Sequence, residues 1–407
     1  MPCLACGAAV EPVVDLGSQP TVSSFPNASD PPGEMLPLRL GTCPSCGLAQ
    51  LADRSSTQDD EANDPWPQSS ATMTAHSREF VDDLVARGLV GPPRRILSLA
   101  SHGGHLVPFL RERGFSATMM EGVETHARRL AAAGERVVLE RLDAPSPGAE
   151  SGVGLFDLVV ESYLLAHLGR PRAALARMSA LLAPGGTLAL EFDDLLAKVE
   201  GGQWDAIGHS HVVYLSLGWL ARELEAVGLV VVDAVSQPVF GGALRIFARA
   251  GGHPGPSVEA MLAHEASAAI KEPAGLAPLA EVVDRARRDV VPYLQAARAT
   301  GRKVAGYGAP TRAITFLNTL EIGPELLPFV VDSASAKQGR TIPGVRIPIL
   351  APDVLVSEPP DVILILTWNL VPEVRSALAP LVAGGTRLMV AVPGLADVTV
   401  EVTQPAS

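Results

Sequence analysis

The sequence predicts an α/β protein in which a small N-terminal zinc-binding module precedes two Rossmann-like doubly wound domains. Two observations predict this fold class. Four cysteines stand as two Cys-x-x-Cys pairs near the start of the chain, and short apolar strands alternate with helical segments in two later stretches. With 407 residues and 47% hydrophobic content, the chain is long enough for two or three domains with buried cores.

The four cysteines of the chain are Cys3, Cys6, Cys43 and Cys46. A two-residue spacing lets both thiolates of a pair bind one ion, and a structural zinc site takes four such ligands. Two redox pairs or four buried thiols are the alternatives, but redox pairs rarely come doubled without a βαβ frame around them. Since all four ligands come from the protein, zinc would stabilise a module over residues 1–54 and would not be a catalyst.

The remaining chain divides by composition and periodicity. Residues 54–72 are acidic and contain Pro and Ser, which is typical of a linker or loop. Strand–helix alternation predicts a first Rossmann-like domain over 72–250, beginning with a helix at 72–89. Helical periodicity predicts a connector over 255–300, and the alternation resumes in a second domain over 301–407.

Apolar runs place the individual elements of the two domains. Strands of the first domain are predicted over 94–100, 115–121, 137–142, 156–162 and 187–192, with helices over 106–114, 125–134 and 172–186. Strands of the second domain are predicted over 303–309, 326–332, 362–368 and 386–392, with a helix over 311–320.

Charge and termini exclude several classes of function. The net charge of −12 argues against a nucleic-acid or anionic-membrane surface, because both need clustered Lys and Arg. The start MPCLACG has neither the basic region nor the apolar core of a signal peptide, and no apolar run is long enough to span a bilayer. Cysteines reserved for metal fit a reducing compartment, so a soluble cytoplasmic protein is expected.

A nucleotide-type cofactor pocket is expected where the first two strands of the first domain end. A flexible turn there lets the backbone approach the cofactor, and an acid at the end of the second strand can accept both ribose hydroxyls. The candidate residues are Ala100, Ser101, His102, Gly104 and Glu121. A purely structural turn beside a solvated glutamate is the alternative.

The second domain offers a candidate ligand site at its own strand ends. Residues 306–309 form a glycine turn ahead of a helix, and such a turn can hold a phosphate on backbone N–H groups. The candidate substrate-binding residues are Tyr307, Arg312, Lys337, Trp368 and Asn369. The alternative is that the glycines and Trp368 serve packing alone.

Motifs along nearly the whole chain resemble the S-adenosylmethionine-dependent sugar C-methyltransferases that methylate carbon in nucleotide-linked deoxysugars. The motifs are VVDLGSQPTVSSF (13–25), CPSCGLAQL (43–51), YLLAHLGRPRAALARMSALLAPGGTLALEF (163–192), IGHSHVVYLSL (207–217), FGGALRIF (240–247), VAGYGAPTRAITFLN (304–318), VVDSASAKQGRTIPGVRIPI (330–349) and ILTWNLVPEV (365–374). The C-terminal motifs are the most specific, because three of them occur in the correct order.

The resemblance implies a mechanism, two cofactors and a substrate. The cofactors are S-adenosylmethionine and a structural zinc ion, and the substrate is a nucleotide-linked keto-deoxysugar bound between the two domains, in natural-product biosynthesis. A base removes a proton beside the ketone, and the enolate attacks the sulfonium methyl group. The catalytic candidates are His211 as base, His167 near the keto oxygen and His209 as support for their loop. A monomer or a homodimer is expected, with no nucleic-acid or membrane partner.

The sequence departs from the family pattern at the positions that define the chemistry. Ser210 stands where the family has an acid between two histidines, Gly208 replaces a tyrosine, and Phe240 replaces a histidine. In the loop before the first domain Pro67 replaces another tyrosine, and the cofactor turn at 98–104 lacks two acids and one glycine. Two alternatives therefore stand beside methyl transfer to a sugar: a repurposed enzyme of the same family, or a non-catalytic binding protein.

Overall fold

The computed structural model describes residues 1–21, 25–31, 33–53, 71–99, 104–144 and 154–400. Its strands are β1 (Val14–Pro20), β2 (Met35–Thr42), β3 (Ala49–Leu51), β4 (Ile96–Leu99), β5 (Ala117–Glu121), β6 (Arg136–Leu139), β7 (Phe156–Ser162), β8 (Leu182–Asp193), β9 (Val213–Tyr214), β10 (Val230–Gln237), β11 (Ala243–Arg249), β12 (Val304–Tyr307), β13 (Val330–Val331), β14 (Ile349–Leu350), β15 (Val362–Ile365), β16 (Arg387–Val390) and β17 (Ala396–Asp397).

The helices pack on and between three sheets. They are α1 (Ala71–Ala86), α2 (Val107–Glu112), α3 (Glu124–Ala132), α4 (Pro171–Ala180), α5 (Leu195–Glu200), α6 (Leu217–Ala226), α7 (Pro256–Ser267), α8 (Pro273–Ala299), α9 (Thr311–Thr319), α10 (Val354–Ser357), α11 (Val371–Ala377) and α12 (Ala379–Ala383). In the described part of the chain, no helix has both the length and the apolar character needed to cross a membrane.

The first domain contains a seven-stranded sheet in the order β10-β11-β8-β7-β4-β5-β6. The strands from β8 to β6 in that order run parallel, and β11 and β10 add an antiparallel pair at the edge. The inner strands are buried on both faces. Leu97 and Val159 pack in one core cluster, whereas Ile96 and Val160 pack in another, as expected for a sheet with helices on both sides.

The second domain has a six-stranded sheet in the order β14-β13-β12-β15-β16-β17, parallel except for β17. Helix α8 contacts β1 and β2 of the N-terminal module as well as β12. One continuous core therefore joins the module, the connector and the second domain, with Leu40, Leu279 and Leu364 among its buried members. The predicted fold class is confirmed.

The N-terminal module does not close its own sheet. Its strand order is β1-β2-β3-β9, and β9 belongs to the first domain. Ala49 pairs with Tyr214 and Gln50 with Val213. β9 begins two residues after His211. The cysteine module and the loop that carries His209 and His211, called the histidine loop below, therefore share one sheet.

Some element boundaries differ from the prediction for local reasons. The predicted strand 156–162 is observed as such, but the predicted helix 172–186 ends at Ala180, and β8 already begins at Leu182. The predicted strand 326–332 contracts to the two residues of β13. The antiparallel β10–β11 pair was not predicted, and the connector consists of two helices.

Candidate functional site

The four cysteine sulfurs meet in one cluster. Sγ of Cys3 lies 3.5 Å from Sγ of Cys46, and Sγ of Cys6 lies 3.5 Å from Sγ of Cys43. All four ligand atoms lie within 4.8 Å of one another. Tetrahedral zinc with Zn–S bonds of about 2.3 Å separates its sulfurs by about 3.8 Å, so the cluster fits zinc. Redox pairing would instead join Cys3 to Cys6 and Cys43 to Cys46.

The backbone and two arginines support this cluster. Gly7 and Gly47 follow the two cysteine pairs with φ of 78° and 70°, and their N–H groups donate to the carbonyls of Cys3 and Cys43. Arg222 donates to the Cys46 carbonyl at 2.6 Å and Arg172 to the Ala5 carbonyl at 2.8 Å. Both guanidinium groups also pair with Glu223, which attaches the module to α4 and α6.

The cofactor edge of the first sheet is described in part. Ala100, Ser101 and His102 lie outside the described residues, so their roles stay predictions. Glu121 ends β5, where a ribose-binding acid is expected, and its Oε1 accepts from the Val123 N–H at 2.9 Å. Burial raises the pKa of Glu121, although this N–H and His126 lower it. Gly104 has a φ of 72°, and its Cβ position is already taken by Met119.

Two of the three predicted catalytic histidines lie together. The rings of His167 and His211 stand edge to face with their centroids 4.7 Å apart. Nδ1 of His167 lies 2.7 Å from the Ser210 carbonyl oxygen, and the centroid of the Tyr214 ring lies 6.2 Å from that of His211. Both histidine side chains are half-buried, and the Nε2 atom of His167 is itself buried.

His209 occupies a different environment. Its side chain is buried against the N-terminal module, where the backbones of Leu36 and Gln19 lie near the ring. Burial lowers the pKa of His209, and these backbone contacts only partly offset that effect. The location suits the support of the loop and not proton transfer.

A buried ion pair joins the end of β8 to α5. Nζ of Lys198, on α5, lies 2.8 Å from Oδ1 of Asp193 at the end of β8. Lys198 also donates to the carbonyls of Phe240 and Gly242, at 2.8 and 3.2 Å. Arg312 donates to the same Phe240 carbonyl at 2.7 Å, so two cations meet at one backbone oxygen.

The segment that carries this carbonyl is strained and tightly packed. Phe240 has a φ of 53°, followed by Gly241 at 80° and Gly242 at 122°. A Cβ on Gly241 would lie 2.6 Å from the Trp368 ring and 2.5 Å from the Gln203 amide oxygen. The two glycines therefore allow the second domain to approach the first directly.

The second domain contributes a cation and an indole to this interface. The Arg312 guanidinium lies 5.2 Å from the Trp368 ring centroid, and Trp368 Nε1 donates to Asp205 Oδ2 at 2.7 Å. Nη1 of Arg312 and Oδ1 of Asp205 are both buried without a hydrogen-bond partner among the residues that the structure describes. Buried polar atoms without a partner, at the contact between two domains, are candidates for ligand binding.

The other three predicted ligand-binding residues lie at separate places in the second domain. Tyr307 ends β12 and is half-buried; burial raises its pKa, as do Asp332 and Glu373. Asn369 adjoins Trp368 in the turn after β15. Lys337 faces the N-terminal module instead, donating to the Ala309 carbonyl at 3.0 Å with its ammonium 4.9 Å from the Phe25 ring centroid.

Several polar groups of the site were not predicted. They are Asp193, Lys198, Asp205 and Tyr214. A further buried network is centred on Glu191. In that network Glu191 accepts from Tyr163, pairs with His76 at 2.6 Å and pairs with the fully buried Arg245 at 2.8 Å. The one available sequence signal was the Asp-Asp pair that ends the strand at 187–192.

Glu161 supports the turn that carries His167. Its Oε1 accepts from the Leu165 N–H at 2.9 Å, at the start of the three-residue turn Leu165–His167. Burial raises the pKa of Glu161 to about 8, although the N–H groups of Leu165 and Leu164 lower it. The folded protein therefore holds this carboxyl in its neutral form at pH 7.

We expect Glu161→Gln to stabilise the protein at alkaline pH. A folded-state pKa of about 8 above an unfolded value near 4.5 makes stability fall as pH rises between these values. A neutral glutamine removes this loss, which amounts to roughly 4 kcal/mol between pH 5 and pH 8.5. Urea unfolding at pH 5 and pH 8.5 measures it, with exposed Glu225→Gln as the control. An equal change at both pH values would contradict the prediction.

The fold and the site define a class of protein: a four-cysteine module of zinc-binding type, followed by two Rossmann-like domains, with a pair of histidines in contact in the first of them. Three family models match successive parts of the chain. They are a zinc binding domain over residues 3–59, a methyltransferase domain over 73–234 and a C-methyltransferase C-terminal domain over 238–393.

A curated relative extends this similarity to almost the whole chain. C-methyltransferase NovU of Streptomyces niveus is 31% identical over 394 residues, which cover 94% of this chain and 92% of the relative. Among solved structures, the CcbJ methyltransferase of Streptomyces caelestis is 14% identical and covers 48% of this chain and 98% of its own, with a TM-score of 0.36. N-methyltransferase NodS of Bradyrhizobium japonicum is 16% identical and covers 46% and 90%, with a TM-score of 0.34. Scores this low add nothing to the assignment.

The chain belongs to the C-methyltransferase family. This membership confirms the family resemblance and the predicted enzyme class, a methyltransferase. It also agrees with the predicted cofactors, S-adenosylmethionine and a structural zinc ion.

Proposed function

We propose that this protein transfers the methyl group of S-adenosylmethionine to a carbon beside the ketone of a nucleotide-linked deoxysugar, in the biosynthesis of a natural product. The observation that carries the proposal is the half-buried His167–His211 pair, with ring centroids 4.7 Å apart. One imidazole can take a proton from carbon while the other donates to the adjacent oxygen.

Besides a base, the reaction needs positive groups that stabilise the negative charge of the enolate. Two cations at the contact between the domains support this part of the proposal. Nη1 of Arg312 is buried and has no hydrogen-bond partner among the described residues. Lys198 and Arg312 both donate to the Phe240 carbonyl. Positive groups fixed in a cleft stabilise an enolate oxygen or a phosphate without reorganising during the reaction. We assign Arg312 and Trp368 to the substrate, with Tyr307 and Asn369 at the same strand edge.

The cofactor is assigned to the carboxyl ends of β4 and β5, in the sheet of the first domain. Glu121 would accept the ribose hydroxyls there, because it ends the strand next to β4. When bound, S-adenosylmethionine supplies an electrophilic methyl group on a sulfonium. The protein's own task is to orient the substrate carbon, remove its proton and exclude water from the cleft.

Two measurements on one substrate panel test this function. The protein is incubated with nucleotide-linked keto-deoxysugars in D2O without cofactor, and NMR follows exchange of the proton beside the ketone. S-adenosylmethionine carrying a deuterated methyl group is then added, and mass spectrometry follows the sugar and S-adenosylhomocysteine. We expect exchange in the first stage and a labelled sugar in the second.

The outcomes separate the remaining possibilities. Exchange without methyl transfer would indicate a repurposed enzyme. A cofactor that binds but yields no S-adenosylhomocysteine with any sugar would overturn the sugar substrate. Failure to bind S-adenosylmethionine in calorimetry, together with no exchange, would leave a non-catalytic binding protein.

A further inference from the structure

Asp193 stands one residue beyond the sequence motif at 163–192. It is the last residue of β8, and the next residue, Asp194, forms a parallel bridge with Leu215. The Leu195 N–H also donates to the Leu215 carbonyl at 3.0 Å. The end of β8 is thereby fixed against the segment that begins with His211.

The charge of Asp193 is maintained despite its burial. Burial alone would raise the pKa of Asp193, but Lys198, Arg312 and His211 lower it, and the net shift is downward. The carboxylate is therefore ionised over the working range of a histidine base. Its ammonium partner Lys198 is fixed by two further carbonyls and is not free to follow a bound ligand.

The position next to His211 lacks the acid expected there. Ser210 stands between the two histidines, and its carbonyl oxygen lies 2.7 Å from His167 Nδ1. When His211 takes a proton from carbon it becomes an imidazolium, between the ring of His167 and the ring of Tyr214. The charged groups near Asp193 include the cations Lys198 and Arg312, which both disfavour an imidazolium, and the adjacent carboxylate Asp194, whose Oδ1 accepts from the Leu196 N–H.

We propose that Asp193 is the positioning residue that stabilises the imidazolium of His211, in place of the acid absent at Ser210. The proposal rests on the proposed function, in which His211 is the base. The proton goes from the substrate carbon to a ring nitrogen of His211. Asp193 stays ionised throughout and holds the positive ring by its charge, without taking the proton itself.

The same substitution of Asp193 in two proteins, with and without Lys198, separates stabilisation of the His211 imidazolium from pairing with Lys198. Asp193→Asn is made in the wild-type protein and in a Lys198→Met background, where no ammonium remains to be paired. The titration of His211 is followed by NMR of the histidine ring carbons, with its signal assigned from the spectrum of His211→Gln. This readout needs no substrate.

We expect Asp193→Asn to lower the titration midpoint of His211 by about one pH unit in both backgrounds, since a nearby negative charge is lost. In the wild-type background, the acid limb of the kcat/KM profile should move in the same direction. Asp194→Asn is the matched control, because its carboxylate caps α5 through the Leu196 N–H. If Asp193→Asn alone fails to fold, the comparison between Lys198→Met and the double variant carries the test.

A midpoint that does not move in the Lys198→Met background would overturn the proposal, because Asp193 would then serve Lys198 alone. Addition of Ser210→Glu to Asp193→Asn should restore the midpoint, a rescue that a merely structural role would not give. A midpoint that moves while no keto sugar is methylated would retain the electrostatic pairing and reject the proposed function instead.

Discussion

Replacing His211 with glutamine should lower the rate of proton removal from the substrate carbon by about 10²–10⁴-fold. Glutamine retains the bulk and polarity of the side chain but has no basic nitrogen. Deuterium exchange in the absence of the methyl donor measures this step directly. Because the side chain is only half-buried, the free energy of unfolding should change by less than about 1 kcal/mol.

The other histidines of the chain make this prediction specific. His209→Gln should leave the exchange rate within a few-fold of wild type but lower stability by about 1–3 kcal/mol, because that ring is buried against backbone partners. His253 is exposed on the surface, so His253→Gln should change neither quantity. Wild-type exchange in His211→Gln would assign the base elsewhere, with His167 as the next residue to test.

Local sequence patterns predicted most of the fold, and of the site they predicted the cysteines and the histidines. The cysteine pairs, the βαβ alternation and the histidines depend on spacing within short segments, and spacing is what a sequence displays directly. His167 and His211 are far apart in the chain, yet they meet because β7 and the segment before β9 end at one edge of the structure. The family resemblance predicts that pairing, because it assigns both histidines to one substrate.

The remaining part of the site depends on packing between distant elements. Lys198 looks in the sequence like a solvent-exposed residue of a short helix, but it is buried because the Phe240–Gly242 turn lies over it. Asp193 acquires a role only through that lysine and the chain near Leu215. The two-residue strand β9 has no periodicity to recognise, so the shared sheet was not predicted either.

The shared sheet makes zinc loss the second large effect that we expect. Cysteine ligands flank the end of β2 and the start of β3, and the Leu51 N–H at the end of β3 donates to the Val212 carbonyl at 3.1 Å. The Val212 N–H in turn donates to the Ala166 carbonyl at 2.8 Å. Val212 follows His211 and Ala166 precedes His167, so one backbone path connects the metal cluster to both histidines.

Cys46→Ser should therefore abolish zinc binding and lower kcat more than it weakens the binding of S-adenosylmethionine. Structural zinc contributes on the order of 10 kcal/mol to the folding of small modules, so three remaining thiolates should not hold the ion or the module. We expect a zinc content near zero, a melting temperature lower by about 5 °C or more, and a kcat lower by at least about tenfold. Metal analysis, thermal unfolding and single-turnover methyl transfer measure the three quantities.

Calorimetry with S-adenosylmethionine decides whether zinc loss in Cys46→Ser affects the histidine loop alone or cofactor binding as well. Glu121 and the cofactor edge belong to strands that make no ladder with the N-terminal module, so the Kd should stay within a few-fold of wild type. Ser45→Ala, an exposed residue between the ligands of the second cysteine pair, is the matched control and should leave all three quantities unchanged. If zinc-free Cys46→Ser turned over at the wild-type rate, β9 would not need the module to hold His211. If it lost cofactor binding as well, the zinc ion would be required by the whole first domain and not by the histidine loop.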